Sequence, residues 1–435
     1  MRFMKSVSIS LTAKILSFVI AVPTSIIIAR YLGPEGKGVF AVLTAILGVA
    51  LQFGNLGFHS SSVYFSAKNK ESIPSIAGIL IVFGLIVGLI IGLAVLAVGA
   101  LYPQAVLGDI PVLFLVVTLV VLPFAFIAQF MQNLLLGMNR IYEYNFVDVA
   151  SKYVYFFAIV FLFYSLKQGI LAFIIVSTIL TIITNLSYIY FIKMNTRISL
   201  KFDKRLFGDM LRYGFKAYIS AFFAFLVIRS DMLLVNYYIG TEGAGLYSLA
   251  VNLTDWLLLV PATIAAMLFP KASSIGDARS ALTKKVSRHT VVLMGGICLV
   301  AAIFAHPVIT LAYGGAFKDS VAPFLFLLPG IFFLSLQTLY MQDFAARGMP
   351  PIVYISPALG FVVNIGLNLI MIPKYGILGA SVTSSCAYFL MFTINFIYFI
   401  KVANAHSREV LILNKTDLFE FWAIWRNKAQ AIISK

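Results

Sequence analysis

Charge is scarce in this chain: Asp, Glu, Lys and Arg together make up 11% of its 435 residues, and 61% are hydrophobic. A soluble domain has no core large enough for that much apolar side chain, so the composition excludes a soluble protein and predicts an integral membrane protein. Cysteine is rarer, and both copies, Cys298 and Cys386, fall inside apolar runs, where each is expected to act as a small buried hydrophobe. The four histidines are scattered and form no metal-ligand cluster, so neither a metal nor another cofactor is expected. An Ala-x-Ala-like site is missing after the first apolar segment, and no cleavable signal is expected there. The three Asn-x-Ser/Thr matches, at Asn185, Asn252 and Asn414, fall in spans or in the tail and are discounted as glycosylation sites.

Long apolar runs are what the chain has instead. A helix satisfies its own backbone in lipid, and 18 or more apolar residues suffice to span it. On that rule the spans are 7–30, 38–67, 74–101, 111–137, 143–166 and 168–193, then 213–239, 244–270, 282–313, 321–346, 350–372 and 376–401. The expected fold is therefore an all-α polytopic membrane protein of twelve transmembrane helices. Positive charge orients it. Twenty-four Lys and Arg residues lie in the termini and even-numbered loops, against five (Arg30, Lys37, Lys167, Lys318 and Lys374) in the odd-numbered loops. Both termini are thus expected to be cytoplasmic. The net charge of +16 then reports topology, and no nucleic-acid partner is expected. Every outward loop is short, which leaves no room for an extracytoplasmic domain and disfavours a glycan polymerase or ligase.

The chain also repeats itself. Tyr31-Leu-Gly-Pro-Glu-Gly-Lys-Gly-Val-Phe40 matches Tyr238-Ile-Gly-Thr-Glu-Gly-Ala-Gly-Leu-Tyr247, and Lys167-Gln-Gly-Ile-Leu171 matches Lys374-Tyr-Gly-Ile-Leu378, both at a distance of 207 residues. A weaker pair, Gly137-Met138 and Gly348-Met349, is 211 apart. Duplication in an apolar chain is the mark of a two-lobed transporter with its site between the lobes. The expected units are an N-terminal six-helix lobe (1–195), a cytoplasmic linker (196–212), a C-terminal six-helix lobe (213–402) and a tail (403–435). In the tail, Leu418, Phe421, Trp422, Trp425, Ala429, Ile432 and Ile433 share one helical face. Asp417 and Glu420 are spaced for a capping box, so an amphipathic helix in the inner interface is expected there.

An ionisable side chain deep in the bilayer costs on the order of 2.5–3.5 kcal/mol and is a functional candidate by default. Asp148 and Lys152 are four apart and can pair along one helix face, as can Asp343 and Arg347. Arg229 and Asp231 lie about ten residues before Gly240, roughly 15 Å deep, and point in different directions. Lys14 and Asp255 likewise lack a partner of opposite sign one turn away. Arg229, Lys14, Lys152, Arg30, Asn55 and His59 are the candidate substrate-binding residues. Asp231, Asp255 and Asp148 are the candidate coupling groups. Pro23, Pro123, Pro261, Pro329 and Pro357 interrupt spans, and Gln52–Gly57 breaks the second.

The Ala29-Arg-Tyr-Leu-Gly-Pro-Glu-Gly-Lys-Gly38 turn, Gly245-Leu-Tyr-Ser-Leu-Ala250, Pro270-Lys271 and Tyr313-Gly-Gly315 together resemble the multidrug/oligosaccharidyl-lipid/polysaccharide exporter superfamily. Within it they are most similar to the polysaccharide transport branch that includes the O-antigen flippases. The resemblance covers residues 5–400. It implies two pseudo-symmetric six-helix bundles around a central cavity, with alternating access in the bacterial cytoplasmic (inner) membrane. It implies a non-enzymatic flippase for a polyprenyl-diphosphate-linked oligosaccharide in O-antigen or other lipopolysaccharide synthesis, working among membrane lipids and alongside polysaccharide polymerase and chain-length proteins. A multidrug or organic-cation exporter of the same superfamily is the alternative, for which a more acidic lumen is expected.

Overall fold

The computed structural model describes residues 2–414 and Asp417. Among the described residues the elements are all helical: α1 (Arg2–Asn55), α2 (Phe58–Lys68), α3 (Ile73–Leu101), α4 (Pro103–Val106), α5 (Val112–Leu119), α6 (Leu122–Gly137), α7 (Ile141–Val160), α8 (Ile170–Asn195), α9 (Lys204–Ser274), α10 (Arg279–Val308), α11 (Val321–Ala346), α12 (Ile352–Val402) and α13 (Ser407–Leu411). Apart from Asp417, the expected tail helix and Glu420 lie outside the described residues.

Nine helical segments among these are long and apolar enough to cross a membrane, where the apolar runs predict twelve. Three of the nine account for the difference. α1, α9 and α12 each contain one glycine with a non-helical backbone: Gly33 (φ 68°), Gly240 (φ 85°) and Gly376 (φ 60°). A straight helix as long as α12 would extend about 77 Å, more than twice a ~30 Å hydrocarbon core. The chain instead reverses at Gly376: a Cβ on Gly379 would lie 2.2 Å from the Met371 carbonyl oxygen, although eight residues of straight helix cover about 12 Å. Side chains with a Cβ resist positive φ, which is why glycine occupies each break. The expected break after Gln52 is present, since α1 ends at Asn55 and Gly57 is left-handed (φ 82°). The interruption expected at Pro123 is present, since the 112–137 span breaks between α5 and α6 and Pro123 stands in the first turn of α6.

Lipid is as apolar as the side chains, so close packing holds such helices together more than the hydrophobic effect does. Helices α1 to α8 pack extensively on one another, as do α9 to α13, and the largest contact between the two sets is α1 on α9. There the second half of α1 runs antiparallel to the first part of α9. Gly57 faces Gly214, with a Cβ on either meeting the other's carbonyl oxygen within 2.4 Å. The Tyr218 hydroxyl donates to the Phe53 carbonyl at 3.3 Å, the Phe53 and Phe222 rings meet edge to face at 5.0 Å, and Gly48 receives Phe225. The two turn motifs close against each other at the far end. A Cβ on Gly38 would lie 1.7 Å from the Thr241 oxygen, and one on Gly245 1.8 Å from the Pro34 oxygen.

The segment between α8 and α9 is strapped across α3, with Ser199 N–H donating to the Pro74 carbonyl at 3.0 Å. Asp203 then caps α9 by accepting from the backbone of Arg205 and Leu206. After α12, α13 folds back so that Val410 is fully buried with Tyr340, Phe344 and Phe399. Arg288 of α10 grips this strap. It donates to Asp417 at 2.6 and 3.0 Å and to the Glu409 carbonyl at 2.7 Å.

Candidate functional site

A cavity of about 660 Å³ lies between α1, α7, α8 and α9. Its wall is hydroxyl-rich, carrying Thr24, Ser25 and Thr44 from α1, Ser151 and Tyr155 from α7, Thr181 and Thr184 from α8, and Ser248 and Asn252 from α9. Phe40, Phe225 and Trp256 add apolar surface. Three cations face it: Lys37, Lys152 and Arg229. No carboxylate belongs to the lining.

Two of these cations are held from behind. Lys152 Nζ donates to Asp148 at 2.8 Å, the one-turn pair predicted from their spacing, and Ser17 Oγ of α1 donates to the same carboxylate oxygen at 3.0 Å. Arg229 donates to Asp255 at 2.8 Å. Neither residue has a partner one helix turn away in the sequence, because their contact crosses the Gly240 break. Lys37 is different. It is 5% exposed, lines the cavity, and has no hydrogen-bond or ion-pair partner among the described residues. Counted in the sequence as a loop residue, it sits inside α1, four positions past Gly33 and next to Gly38.

Asp231 is 2% exposed and turned away from the cavity. It accepts from the Tyr247 hydroxyl, from Ser384 Oγ of α12 at 3.0 Å and from the Met232 backbone. On the same α12, Asn368 donates to Asn364 at 3.0 Å. Asn364 Nδ2, Asn368 Oδ1 and Thr383 Oγ1 are buried there without a partner. Among the described residues, no three or more His, Cys, Asp or Glu side chains are grouped to hold a metal.

Four of the other candidates stand outside the cavity. Arg30 caps the helical turn Ile309–Tyr313 that follows α10, its guanidinium donating to the Ala312 carbonyl at 2.7 Å and the Leu311 carbonyl at 2.5 Å. Asn55 is buried and donates to Gln129 of α6 at 2.9 Å, while His59 contacts Asn55 Oδ1 at 2.6 Å. Both belong to the packing of the α1–α2 break. Lys14 is on an exposed face of α1 and does not line the cavity. Asp343 pairs with Arg347 as its spacing predicts, and also accepts from Thr283. Cys298 is half-buried, and Cys386 is exposed where a buried hydrophobe was expected.

The charge changes look imposed on a duplicated frame. The positions 207 residues from Lys37, Arg229, Asp231 and Asp255 are Ala244, Val22, Thr24 and Gly48. A shift of 207 to 211 carries Asp148 and Lys152 onto 355–363, which contains no charged residue. One copy of the fold does without each of these charges.

A family model described as "Polysaccharide biosynthesis protein" matches residues 27–322. The chain belongs to that family. Among its relatives, a candidate O-antigen transporter of Shigella flexneri is 23% identical over 385 residues, covering 84% of this chain and 90% of that protein. The flippase candidate AglR of Haloferax volcanii is 26% identical over 164 residues, 35% of this chain and 34% of the relative. Among solved structures, an inward-facing multidrug resistance MATE transporter of the MOP superfamily superposes with a TM-score of 0.75 at 15% identity, over 89% of this chain and 94% of that one. The lipid II flippase MurJ, in an inward closed conformation, gives 0.73 at 16% identity, over 98% and 93%. The family member therefore has the MOP fold, a multi-pass membrane architecture whose relatives are transporters and flippases.

Proposed function

We propose that this chain flips a polyprenyl-diphosphate-linked oligosaccharide from the inner to the outer leaflet of the bacterial cytoplasmic membrane, for surface polysaccharide synthesis, by alternating access. One observation carries the reading: in a polysaccharide biosynthesis protein, the central cavity is lined by three cations and many hydroxyls, with no carboxylate on its wall. A diphosphate seeks charge-assisted donors, and a sugar chain seeks hydroxyl and amide partners. An organic cation would meet three like charges and no carboxylate on the wall, which disfavours the exporter alternative. The prenyl tail stays in lipid throughout.

Splitting α1, α9 and α12 at their glycines turns nine segments into twelve spans, six before the linker and six after it. Both termini are then cytoplasmic, and the Gly33 and Gly240 turns close the outer end. Asp231 is the best-placed coupling group, because it is buried among polar side chains of α9 and α12 yet leaves the cavity wall free. Polymerase and chain-length proteins remain the expected neighbours in the pathway.

The test compares surface glycan with the amount of protein in the membrane for Arg229→Gln, Lys152→Gln and Lys37→Met. Each well-inserted variant should lose at least about tenfold in output, the scale of one charge-assisted contact. Normal output from all three would remove the cavity from the transport path.

A further inference from the structure

Each cavity-facing cation that has a partner is held by a carboxylate placed just off the wall. Lys152 lines the cavity and Asp148, 2.8 Å from it, does not; Arg229 lines it and Asp255, also 2.8 Å away, does not. We propose that Asp148 and Asp255 are internal release groups. Each holds its cation while the cavity is empty, yields it to an arriving diphosphate, and retakes it as the anion leaves. This rests on the reading of the cavity as a diphosphate site and adds a role for the two carboxylates within it.

Three bare cations around one diphosphate in a low-dielectric cavity would hold it too long for transport, since attraction between unit charges rises steeply as the dielectric falls. Conduction needs a site that also lets go. A cation that exchanges a carboxylate oxygen for a phosphate oxygen changes partner and is never left bare, so capture and release both become nearly balanced exchanges. The pairs are built for exchange. Side-chain exposures are 42% and 39% for Lys152 and Asp148, and 35% and 29% for Arg229 and Asp255, so neither pair is locked in a dry core. Ser17 donates to Asp148 at 3.0 Å and keeps that carboxylate partnered while Lys152 is away. Lys37 lacks such a group and supplies the constant part of the attraction. Neither carboxylate belongs to the cavity lining, so each reaches the anion's site through its cation. The opposite copy of the repeat has no charge at either pair, so the fold does not require them.

The test uses the full-length protein in lipid nanodiscs, with farnesyl diphosphate as the probe for equilibrium binding. A fluorescent polyprenyl diphosphate in proteoliposomes reports the flipping rate at saturation. Asp148→Asn and Asp255→Asn should each bind the probe about fivefold tighter, about 1 kcal/mol at 1.4 kcal/mol per tenfold, and flip more slowly by a similar factor. Affinity and rate thus move in opposite directions, which loss of a merely structural contact would not produce. Asp148→Glu and Asp255→Glu should return both readouts toward the parent. Asparagine variants that bind no tighter than the parent, while Lys152→Gln and Arg229→Gln bind more weakly, would overturn the release role and leave the diphosphate site standing. A parent protein that does not bind farnesyl diphosphate would overturn the site itself, and the release role with it.

Discussion

Lys37 has almost no exposed surface, no hydrogen-bond or ion-pair partner among the described residues, and a place on the cavity lining. An unpaired buried ammonium costs several kcal/mol, so Lys37→Met should raise the thermal midpoint of the purified protein or leave it unchanged, while surface glycan falls. A lowered midpoint with normal glycan would show that the ammonium serves only the fold. In the sequence this lysine hides among Gly, Pro and Glu and looks like part of a turn; the signal that could have found it is Ala244, the apolar residue at the matching place in the second copy. Arg229 and Lys152 line the cavity, and depth within an apolar run is what marks both in the sequence. Arg30 and His59 lie outside it for a shared reason. Polar residues at helix ends satisfy main-chain carbonyls and side-chain amides as readily as they meet a substrate, and only coordinates separate the two.

Helix breaks and helix contacts both use glycine here, with opposite expectations. No atom lies within 4 Å of a Cβ added to Gly240, so Gly240→Ala should cost only its strained backbone (φ 85°, ψ −176°), about 1–3 kcal/mol. Gly38→Ala drives a methyl group into the Thr241 carbonyl at 1.7 Å and should part the two turns. The thermal midpoint should fall further for Gly38→Ala than for Gly240→Ala, and the reverse order would mean that the contact yields without cost. The strap after α12 gives a pH test. The hydrogen bond from Arg288 holds the Asp417 carboxyl below its ordinary range. A depressed folded-state pKa contributes stability above the unfolded value, and that contribution is lost as pH falls through the folded one. Proteolysis within 403–414 should therefore stay slow at neutral pH and accelerate only below about pH 4, while Arg288→Gln should make it fast at neutral pH. Apolar runs predicted the helices because spanning length is a property of composition. They could not reveal that three pairs of spans are joined with a single non-helical glycine between them, because that depends on one residue's backbone angles.

At the scale of the whole molecule, the two turns meet at one end and the α1–α9 seam runs away from them beside the cavity. Cysteines introduced by Glu35→Cys and Glu242→Cys, with Cys298 and Cys386 replaced, should both react with an impermeant reagent applied outside the cell membrane. Labelling of either from the cytoplasmic side alone would invert one half and undo the twelve-span count. The duplication was readable from five matching residues in each turn, and it told of two halves without telling how they touch. The strap that carries Ser199 onto the Pro74 carbonyl says something further, about how the chain is made. The connection between the halves is fastened to the first half, the second half begins with its own cap at Asp203, and between them Leu200, Lys201 and Phe202 are exposed and outside any helix. A ribosome could thus finish the first half as a closed piece before the second emerges, and two separate messages divided at Lys201 should still assemble a working protein.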